Sequence, residues 1–175
     1  MIYIVRHGQT EYTLQNRYNG GTDNDLTPTG IEQAKAQAEN LRGIHFDAVF
    51  SSPLKRTKQT CEIIYKGKII FDDRLVEINC GELEGAHKTP EVIKAFGQAM
   101  ITGTRGVESL KDFVKRNCDF CDMVVKGYKG NNVLIVAHDA SMQAFNYYFA
   151  GMPKDYDFTK NAIHVPTGGL ITFDN

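Results

Sequence analysis

Short runs of apolar residues recur along this chain, and polar, turn-forming segments separate them. The runs are rich in Ile, Val, Leu and Phe, which is typical of strands that are buried on both faces of a sheet. The predicted strands are residues 2–5, 47–50, 68–71 and 132–136, with residues 163–165 and 170–173 as closing strands.

Between the strands, apolar residues recur at the spacing of amphipathic helices. One helix is predicted to begin with Thr27 as N-cap and Pro28 as its first residue, and to end at Gly43. Further helices are predicted for residues 53–65, 91–99 and 141–149, and for the segment whose apolar face comprises Leu110, Phe113, Val114, Asn117, Cys121 and Val124. The rest of segments 11–25 and 73–106 is predicted to be irregular. Strands that alternate with helices predict an α/β fold, a three-layer α/β/α arrangement around a mostly parallel central sheet.

Length and charge narrow the class of protein. The chain has 175 residues, which suits a single domain over residues 1–175. Its net charge is −1, and it has no block of Lys and Arg, so we expect neither a nucleic-acid partner nor a polybasic membrane patch. No apolar run approaches the ~20 residues of a transmembrane helix, and the N-terminal run is too short for a signal peptide. We therefore expect a cytoplasmic protein, and the sequence indicates no oligomeric state.

The four cysteines are Cys61, Cys80, Cys118 and Cys121, and their spacing is not that of a secreted disulfide framework. Cys118 and Cys121 form one CxxC pair on the predicted amphipathic helix. A zinc ribbon needs a second CxxC or a His pair, and neither is present. We interpret these cysteines as reduced thiols packed against the sheet.

Three short motifs follow predicted buried strands and carry the candidate chemistry. They are Arg6-His7-Gly8, the run from Ser51 to Arg56, and Val136-Ala137-His138. The loops at the carboxyl ends of strands form the ligand crevice of open α/β sheets, so these motifs should converge. Two arginines and two histidines at one place suit a phosphoryl dianion, because guanidinium groups bind its oxygens bidentately and a neutral imidazole can attack phosphorus.

The same motifs resemble those of the histidine phosphatase superfamily, also called phosphoglycerate-mutase-like, over nearly the whole chain. The matching strings are residues 6–11, residues 25–30 with Gln33-Ala34, residues 51–60, Leu75-Val76-Glu77 through Gly81 to Glu84-Gly85, and residues 136–138. Their order and spacing make the resemblance specific. It implies the fold of that family and a phosphoryl-transfer activity.

The resemblance implies a role for each central residue. His7 would be the nucleophile that forms a phosphohistidine, Arg6 and Arg56 would bind the phosphoryl oxygens, and His138 would donate a hydrogen bond to them, as an imidazolium if it is protonated. Glu77 matches the position of the general acid, although the residues alone leave Glu82 and Glu84 as rivals. We expect no metal or other cofactor, because the arginines and histidines supply the positive charge that metals supply elsewhere.

The loop after His7 contributes four candidate substrate-binding residues, Thr10, Thr13, Asn19 and Gly20. The alternative is that side-chain to backbone bonds within the loop occupy them. Thr13, Asn19, Leu83 and Asp139 depart from the common family pattern. A carboxylate beside a phosphate site is repulsive, so we expect Asp139 to cap the helix that begins at Ala140 and to face away from the phosphate.

The predicted function is hydrolysis of small phosphorylated metabolites, with a small-molecule phosphate ester as the partner. The segment between Gly85 and Gly106 is shorter than the segment that closes the site in mutases of this family, which favours an open site and attack by water. The alternatives are a cofactor-dependent phosphoglycerate mutase and a non-catalytic phosphate-binding protein with the same fold. His45 and His164 are expected to be structural or surface residues, whereas His87 is a candidate for the mouth of the site.

Overall fold

The computed structural model describes residues 1–151 and 163–174. Its elements in chain order are β1 Ile2–Arg6, α1 Glu11–Leu14, α2 Pro28–Asn40, β2 Ala48–Ser51, α3 Lys55–Ile64, β3 Ile70–Phe71, α4 Pro90–Thr102, α5 Leu110–Gly127, β4 Val133–Ala137, α6 Asp139–Ala150 and β5 Leu170–Phe173. Two single 3₁₀ turns, Asp73–Leu75 and Gly81–Leu83, lie between β3 and α4. No helix in the described ranges is long and apolar enough to cross a membrane.

In the described part of the chain, the strands form one five-stranded sheet in the order β3-β2-β4-β1-β5. Every pairing is parallel except that of β1 with β5, so the predicted mostly parallel sheet is confirmed. Strand β4 is buried at every residue, because it lies at the centre of the sheet and is covered on both faces.

Helices cover both faces of the sheet, which confirms the predicted three layers. Cys61 of α3 packs on one face with Val5, Val49, Leu134 and Val136. The opposite face packs against side chains of α5 and α6, which include Phe120, Cys121, Val124, Met142 and Phe145. Side chains that alternate along each strand therefore enter two separate cores, as the pleat of a strand requires.

A third apolar cluster lies beside the sheet rather than against it. It joins the loop after the first 3₁₀ turn to α4, α5 and α6, and its buried members include Ile78, Phe96, Phe113, Val114 and Ala144. This cluster forms one side of the candidate site described below.

Two sequence predictions about secondary structure were wrong. Residues 163–165 are irregular rather than a strand. The edge of β1 is already occupied by β5, and Gly168 and Gly169 bond to Arg6 where β1 ends, so this edge offers residues 163–165 no partner. Segment 11–25 is not all loop, because α1 occupies its start. Thr10 and Thr13 form a reciprocal capping box that stabilises this single helical turn.

Candidate active site

The three predicted motifs meet at the carboxyl ends of three adjacent strands. Arg6 ends β1 and His7 follows it, His138 follows β4, and Arg56 lies in the first turn of α3 after β2. The rings of His7 and His138 are 5.3 Å apart, centre to centre. The parallel pairing of β1 with β4 brings them together, since it places Arg6 opposite Ala137.

The His7 side chain is held as one tautomer. Its Nδ1 lies 2.7 Å from the carbonyl oxygen of Gly8, and a carbonyl can only accept, so Nδ1 carries the proton. The other nitrogen, Nε2, therefore holds the lone pair. His7 is buried, and this burial together with the positive charge of Arg56 holds the pKa of the imidazole well below its usual range. A neutral ring with a free Nε2 is the form that can attack phosphorus.

His138 is also buried and held as a single tautomer. Its Nδ1 accepts a hydrogen bond from Nε of Arg56 at 3.2 Å, so the proton of the neutral ring lies on Nε2, 2.9 Å from Oγ of Ser52. Burial and the neighbouring Arg56 charge lower the pKa of His138 well below its usual range. These surroundings favour a neutral donor over the imidazolium that the sequence left open.

The Arg56 side chain is fully buried beneath the loop that follows α1. Its two terminal nitrogens donate to the carbonyl oxygens of Asn19, Gly20 and Thr22 at 2.8–3.0 Å. Burial lowers its pKa to about 10. Arg56 therefore supplies positive charge to both histidines while it holds this loop in place.

Arg6 lines the cavity of the site and is only partly satisfied. Its Nη1 donates to the carbonyl oxygen of Val165 at 2.6 Å and lies 2.8 Å from Oδ1 of Asp139. Its Nε is buried and has no hydrogen-bond partner among the described residues. An unpartnered buried donor costs free energy, and an anionic oxygen placed beside it would recover that cost.

The expectation for Asp139 was wrong. His138 occupies the N-cap position of α6, and Asp139 is the first residue of the helix rather than its cap. Its carboxylate turns into the cavity and pairs with Arg6 instead of facing away. The positive charge of Arg6 explains this orientation, because it attracts the carboxylate into the cavity. The sequence around Asp139 does not show that Arg6 lies beside it.

Glu77 is the more buried of the two acidic residues in the described lining of the cavity, the other being Asp139. Its Oε1 accepts from the backbone N–H of Ile78 at 2.8 Å, and its Oε2 accepts from that of Ala140 at 3.2 Å. Burial raises the pKa of Glu77 above its ordinary value, and the negative charge of Asp139 adds to this effect. A carboxyl group with a raised pKa suits proton donation.

The two rival carboxylates are placed elsewhere. Glu84 accepts hydrogen bonds from the backbone N–H groups of Gly20, Gly21 and Thr22, so it anchors the loop. Glu82 is exposed. Neither side chain lines the cavity among the described residues, whereas Glu77 does.

Arg116 of α5 holds the backbone that carries Glu77. It forms a two-point ion pair with Glu108, with N–O distances of 2.6 and 2.8 Å. The same guanidinium donates to three backbone carbonyl oxygens, those of Arg74, Val76 and Glu77. The apolar periodicity of α5 does not indicate this role, because the contacts reach a distant loop.

The four predicted substrate-binding residues fall into two pairs. Thr13 and Asn19 line the cavity, whereas Thr10 and Gly20 are absent from its described lining. The Thr10 side chain caps α1 and accepts from Asn19 Nδ2 at 3.0 Å. The backbone of Gly20 is engaged by Glu84 and Arg56. Thr10 matches the alternative of a loop held by bonds within itself, whereas Gly20 is held by side chains from outside the loop.

The cavity has a volume of about 290 Å³ and contains two cationic residues that the sequence analysis missed. Arg17 and Lys88 both line it. Arg17 donates to the carbonyl oxygen of Gly85 at 2.7 Å, and the Lys88 ammonium lies 5.1 Å from the centre of the Tyr18 ring. In the sequence, only their positions in the segments after His7 and after Gly85 indicated that they could reach the site. His87 is exposed and outside the described lining of the cavity.

Comparison with known proteins identifies the family of this chain. The histidine phosphatase superfamily (branch 1) matches residues 2–168. A 2,3-bisphosphoglycerate-dependent phosphoglycerate mutase from Cytophaga hutchinsonii is 35% identical over 91% of this chain and 88% of its own length. Phosphoserine phosphatase 1 from Hydrogenobacter thermophilus is 33% identical over 82% of this chain and 72% of its own.

A solved structure shows the same fold. A putative alpha-ribazole-5'-P phosphatase from Escherichia coli superposes with a TM-score of 0.81 at 23% identity, over 97% of this chain and 87% of its own. The family match covers all three motifs and the segment that contains Glu77. The chain therefore belongs to the histidine phosphatase superfamily, branch 1.

Proposed function

We propose that this protein is a metal-independent phosphomonoester hydrolase that works through a phosphohistidine on His7. One observation carries the proposal: a buried imidazole, protonated on Nδ1 by its bond to Gly8, shares a cavity with Glu77, a buried carboxyl of raised pKa. This pair provides a nucleophile and a proton donor in the forms that the first step requires.

In the first step, Nε2 of His7 attacks phosphorus while the bond from phosphorus to the ester oxygen breaks. Glu77 transfers its proton to that oxygen, so the alcohol leaves neutral. In the second step, water attacks the phosphohistidine, and the Glu77 carboxylate takes a proton from it. Inorganic phosphate leaves, and His7 and the protonated Glu77 are regenerated.

The surrounding charges support this sequence of steps. Arg6 lines the cavity and has an unpartnered Nε among the described residues, so it is suited to contact the phosphoryl oxygens. Arg56 contributes charge from beneath the loop and fixes the proton of His138 on Nε2. His138 is fully buried and outside the described lining of the cavity, so this N–H would donate to a phosphoryl oxygen only by leaving Ser52 Oγ. Preorganised donors of this kind stabilise the charge of the transferring group.

The experiment is turnover of p-nitrophenyl phosphate and a panel of small phosphate esters, with and without EDTA. We expect phosphate release that EDTA does not reduce. His7→Ala should abolish it, whereas His45→Ala, at an exposed histidine outside the cavity lining, should retain it. A rapid quench in alkaline denaturant, in which phosphohistidine is stable, followed by mass measurement should detect one phosphoryl group on the parent and none on His7→Ala. Equal activity of His7→Ala and the parent would contradict the proposal.

Phosphoglycerate mutase is the second candidate, and two observations favour it. Several relatives with 30–35% identity are named as such mutases, and Arg17 and Lys88 place two cations in the cavity, where a carboxylate would fit. Incubation with 3-phosphoglycerate and a trace of 2,3-bisphosphoglycerate distinguishes the two. Isomerisation without phosphate release identifies a mutase, whereas phosphate release identifies a hydrolase. Binding of phosphate esters without either reaction would identify a non-catalytic binding protein.

A further inference from the structure

Beyond the phosphate-binding residues, much of the described cavity lining is apolar. Helices α4, α5 and α6 contribute six such side chains, which we call the apolar chamber: Phe96, Met100, Leu110, Phe113, Val114 and Ala144. Four of the six belong to the buried core of the cluster beside the sheet. The chamber is therefore a hollow within a packed core, and it is continuous with the cavity that holds His7 and Glu77.

The chamber begins next to the candidate acid. The backbone N–H of Ala140 donates to Glu77 Oε2, and Ala144 lies one helical turn further along α6. Residues four apart share a helix face, and both alanines line the cavity. Two small side chains at these successive positions leave space where larger apolar residues would fill it. A leaving-group oxygen that receives the Glu77 proton would thus direct its alcohol along this face.

The volume limits what fits. An apolar cavity of about 150 Å³ holds one benzene ring. The whole cavity measures about 290 Å³, so a phosphoryl group leaves room for roughly one ring or a short alkyl chain. A sugar or a polyol would place hydroxyl groups against Phe96, Phe113 and Val114, where unpaired polar groups cost free energy. An apolar group would instead gain from leaving water.

We propose that the apolar chamber binds the alcohol portion of the substrate, and that the preferred substrates are phosphomonoesters of an apolar alcohol about the size of one ring or a chain of four to six carbons. This inference rests on the proposed hydrolase function and specifies its substrate class.

The first test compares linear alkyl phosphates from ethyl to octyl with glycerol phosphate, since their leaving groups have similar basicity. We expect kcat/KM to rise by about fourfold for each added methylene, because each buried methylene contributes roughly 0.8 kcal/mol, and to level off once the chamber is full. Butyl phosphate should exceed glycerol phosphate, which has a similar size, by at least tenfold. A kcat/KM for glycerol phosphate equal to or above that for butyl phosphate would overturn the inference.

Two variants locate the effect. Ala144→Leu should fill the chamber and shift the preferred chain to shorter lengths, and Met100→Ala should enlarge it and shift the preference to longer ones. Ala36→Leu adds the same side chain on an exposed position of α2 and should leave the profile unchanged. Circular dichroism and thermal unfolding verify that each variant is folded. If neither chamber variant moves the preferred length, the alcohol does not occupy this space.

Alkylphosphonates separate this inference from the proposed function, because they bind without being hydrolysed. Calorimetry should show affinity that increases from ethyl- to butylphosphonate on the parent and less so on Ala144→Leu. If no phosphate ester is turned over but this increase is present, the hydrolase proposal fails and the chamber stands. If esters are hydrolysed but affinity does not depend on chain length, the chamber proposal fails alone.

Discussion

The Asp139 carboxylate lies 2.8 Å from Nη1 of Arg6, at the point where the candidate site would bind a phosphoryl group. Both residues line the cavity, and the Asp139 side chain is 41% exposed within this pair. In the proposed function, this carboxylate would compete with phosphate for the same guanidinium. It also adds to the raised pKa of Glu77.

Asp139→Asn should tighten the binding of inorganic phosphate, because it removes the competing charge and frees Arg6. A partly exposed ion pair is worth little, so we expect a threefold to tenfold lower inhibition constant, or about 1 kcal/mol. The basic limb of the pH profile should also move to lower pH, since Glu77 loses a negative neighbour. Competitive inhibition of p-nitrophenyl phosphate turnover measures the first effect.

Glu82→Gln is the matched control for Asp139→Asn, because it removes a carboxylate from an exposed position outside the described lining of the cavity. It should leave the inhibition constant of phosphate unchanged. An unchanged constant in Asp139→Asn as well would show that Asp139 does not compete for Arg6.

The pH dependence of kcat/KM should be bell-shaped with an optimum on the acidic side of neutral. The proposed mechanism requires a neutral His7 and a protonated Glu77. The lowered pKa of His7 moves the acid limb below its usual 6.5, and the raised pKa of Glu77 moves the basic limb above its usual 4.5. Activity is thus lost as pH falls through the lowered pKa of His7 and as pH rises through the raised pKa of Glu77.

Glu77→Gln tests which residue produces the basic limb. With alkyl phosphates, we expect kcat/KM to fall by about 100-fold to 10,000-fold, since general acid catalysis typically contributes a factor of that size. With p-nitrophenyl phosphate the loss should be smaller, because p-nitrophenolate leaves without a proton. A Glu77→Gln enzyme that keeps the parent's basic limb would show that another group is the acid.

Arg116→Met should weaken both the fold and the placement of Glu77. The substitution removes hydrogen bonds to three carbonyl oxygens and leaves the partly buried Glu108 without its partner. We expect a loss of about 2 kcal/mol in the free energy of unfolding, measured with urea. The kcat for alkyl phosphates should fall more than that for p-nitrophenyl phosphate, because only the alkyl leaving group needs a proton from Glu77.

Lys115→Met removes an exposed cation from the adjacent position of α5 and should lower the free energy of unfolding much less than Arg116→Met does. Arg116→Lys keeps the positive charge, so we expect it to be more stable than Arg116→Met. Its ratio of kcat for alkyl phosphates to kcat for p-nitrophenyl phosphate should also lie closer to that of the parent. A kcat ratio that stays at the parent value in Arg116→Met would limit Arg116 to a structural role.

Two helical glycines should respond in opposite directions to alanine. A Cβ on Gly30 of α2 would overlap the carbonyl oxygen of Gln9 and lie 2.8 Å from its backbone nitrogen. A Cβ on Gly97 of α4 would meet nothing within 4 Å. We expect Gly30→Ala to destabilise the protein by about 3 kcal/mol and Gly97→Ala to stabilise it by about 1 kcal/mol. Thermal and urea unfolding of the two variants measure the difference.

Gly30→Ala should also disturb the site, because the loop that it would push follows His7 directly. The backbone N–H of Gln9 donates to Oε1 of Gln33 at 2.8 Å, and a displacement of Gln9 would break this hydrogen bond. A Gly30→Ala protein as stable as the parent would mean that α2 can shift away from the loop.

The strands and most helices were predictable because their signals are local. The buried runs before His7 and His138 identify β1 and β4, and Thr27-Pro28 marks the start of α2. The convergence of Arg6, His7 and His138 follows from one general rule about the carboxyl ends of parallel strands. The orientation of Asp139 was not predictable in this way, since Arg6 is 133 positions away in the sequence and only the pairing of β1 with β4 brings the two together.

The sequence alone therefore determined the α/β architecture, the family resemblance and the main residues of the candidate site, because these depend on local periodicity and on short motifs that end strands. The tertiary structure decided which carboxylates line the cavity, how the histidine protons are placed, and which apolar side chains lie beside Glu77. Glu77, Glu82 and Glu84 differ only in what is packed around them, and the apolar chamber joins three helices that are distant in the chain. Burial and contacts between distant segments set these properties, and no local pattern of residues encodes them.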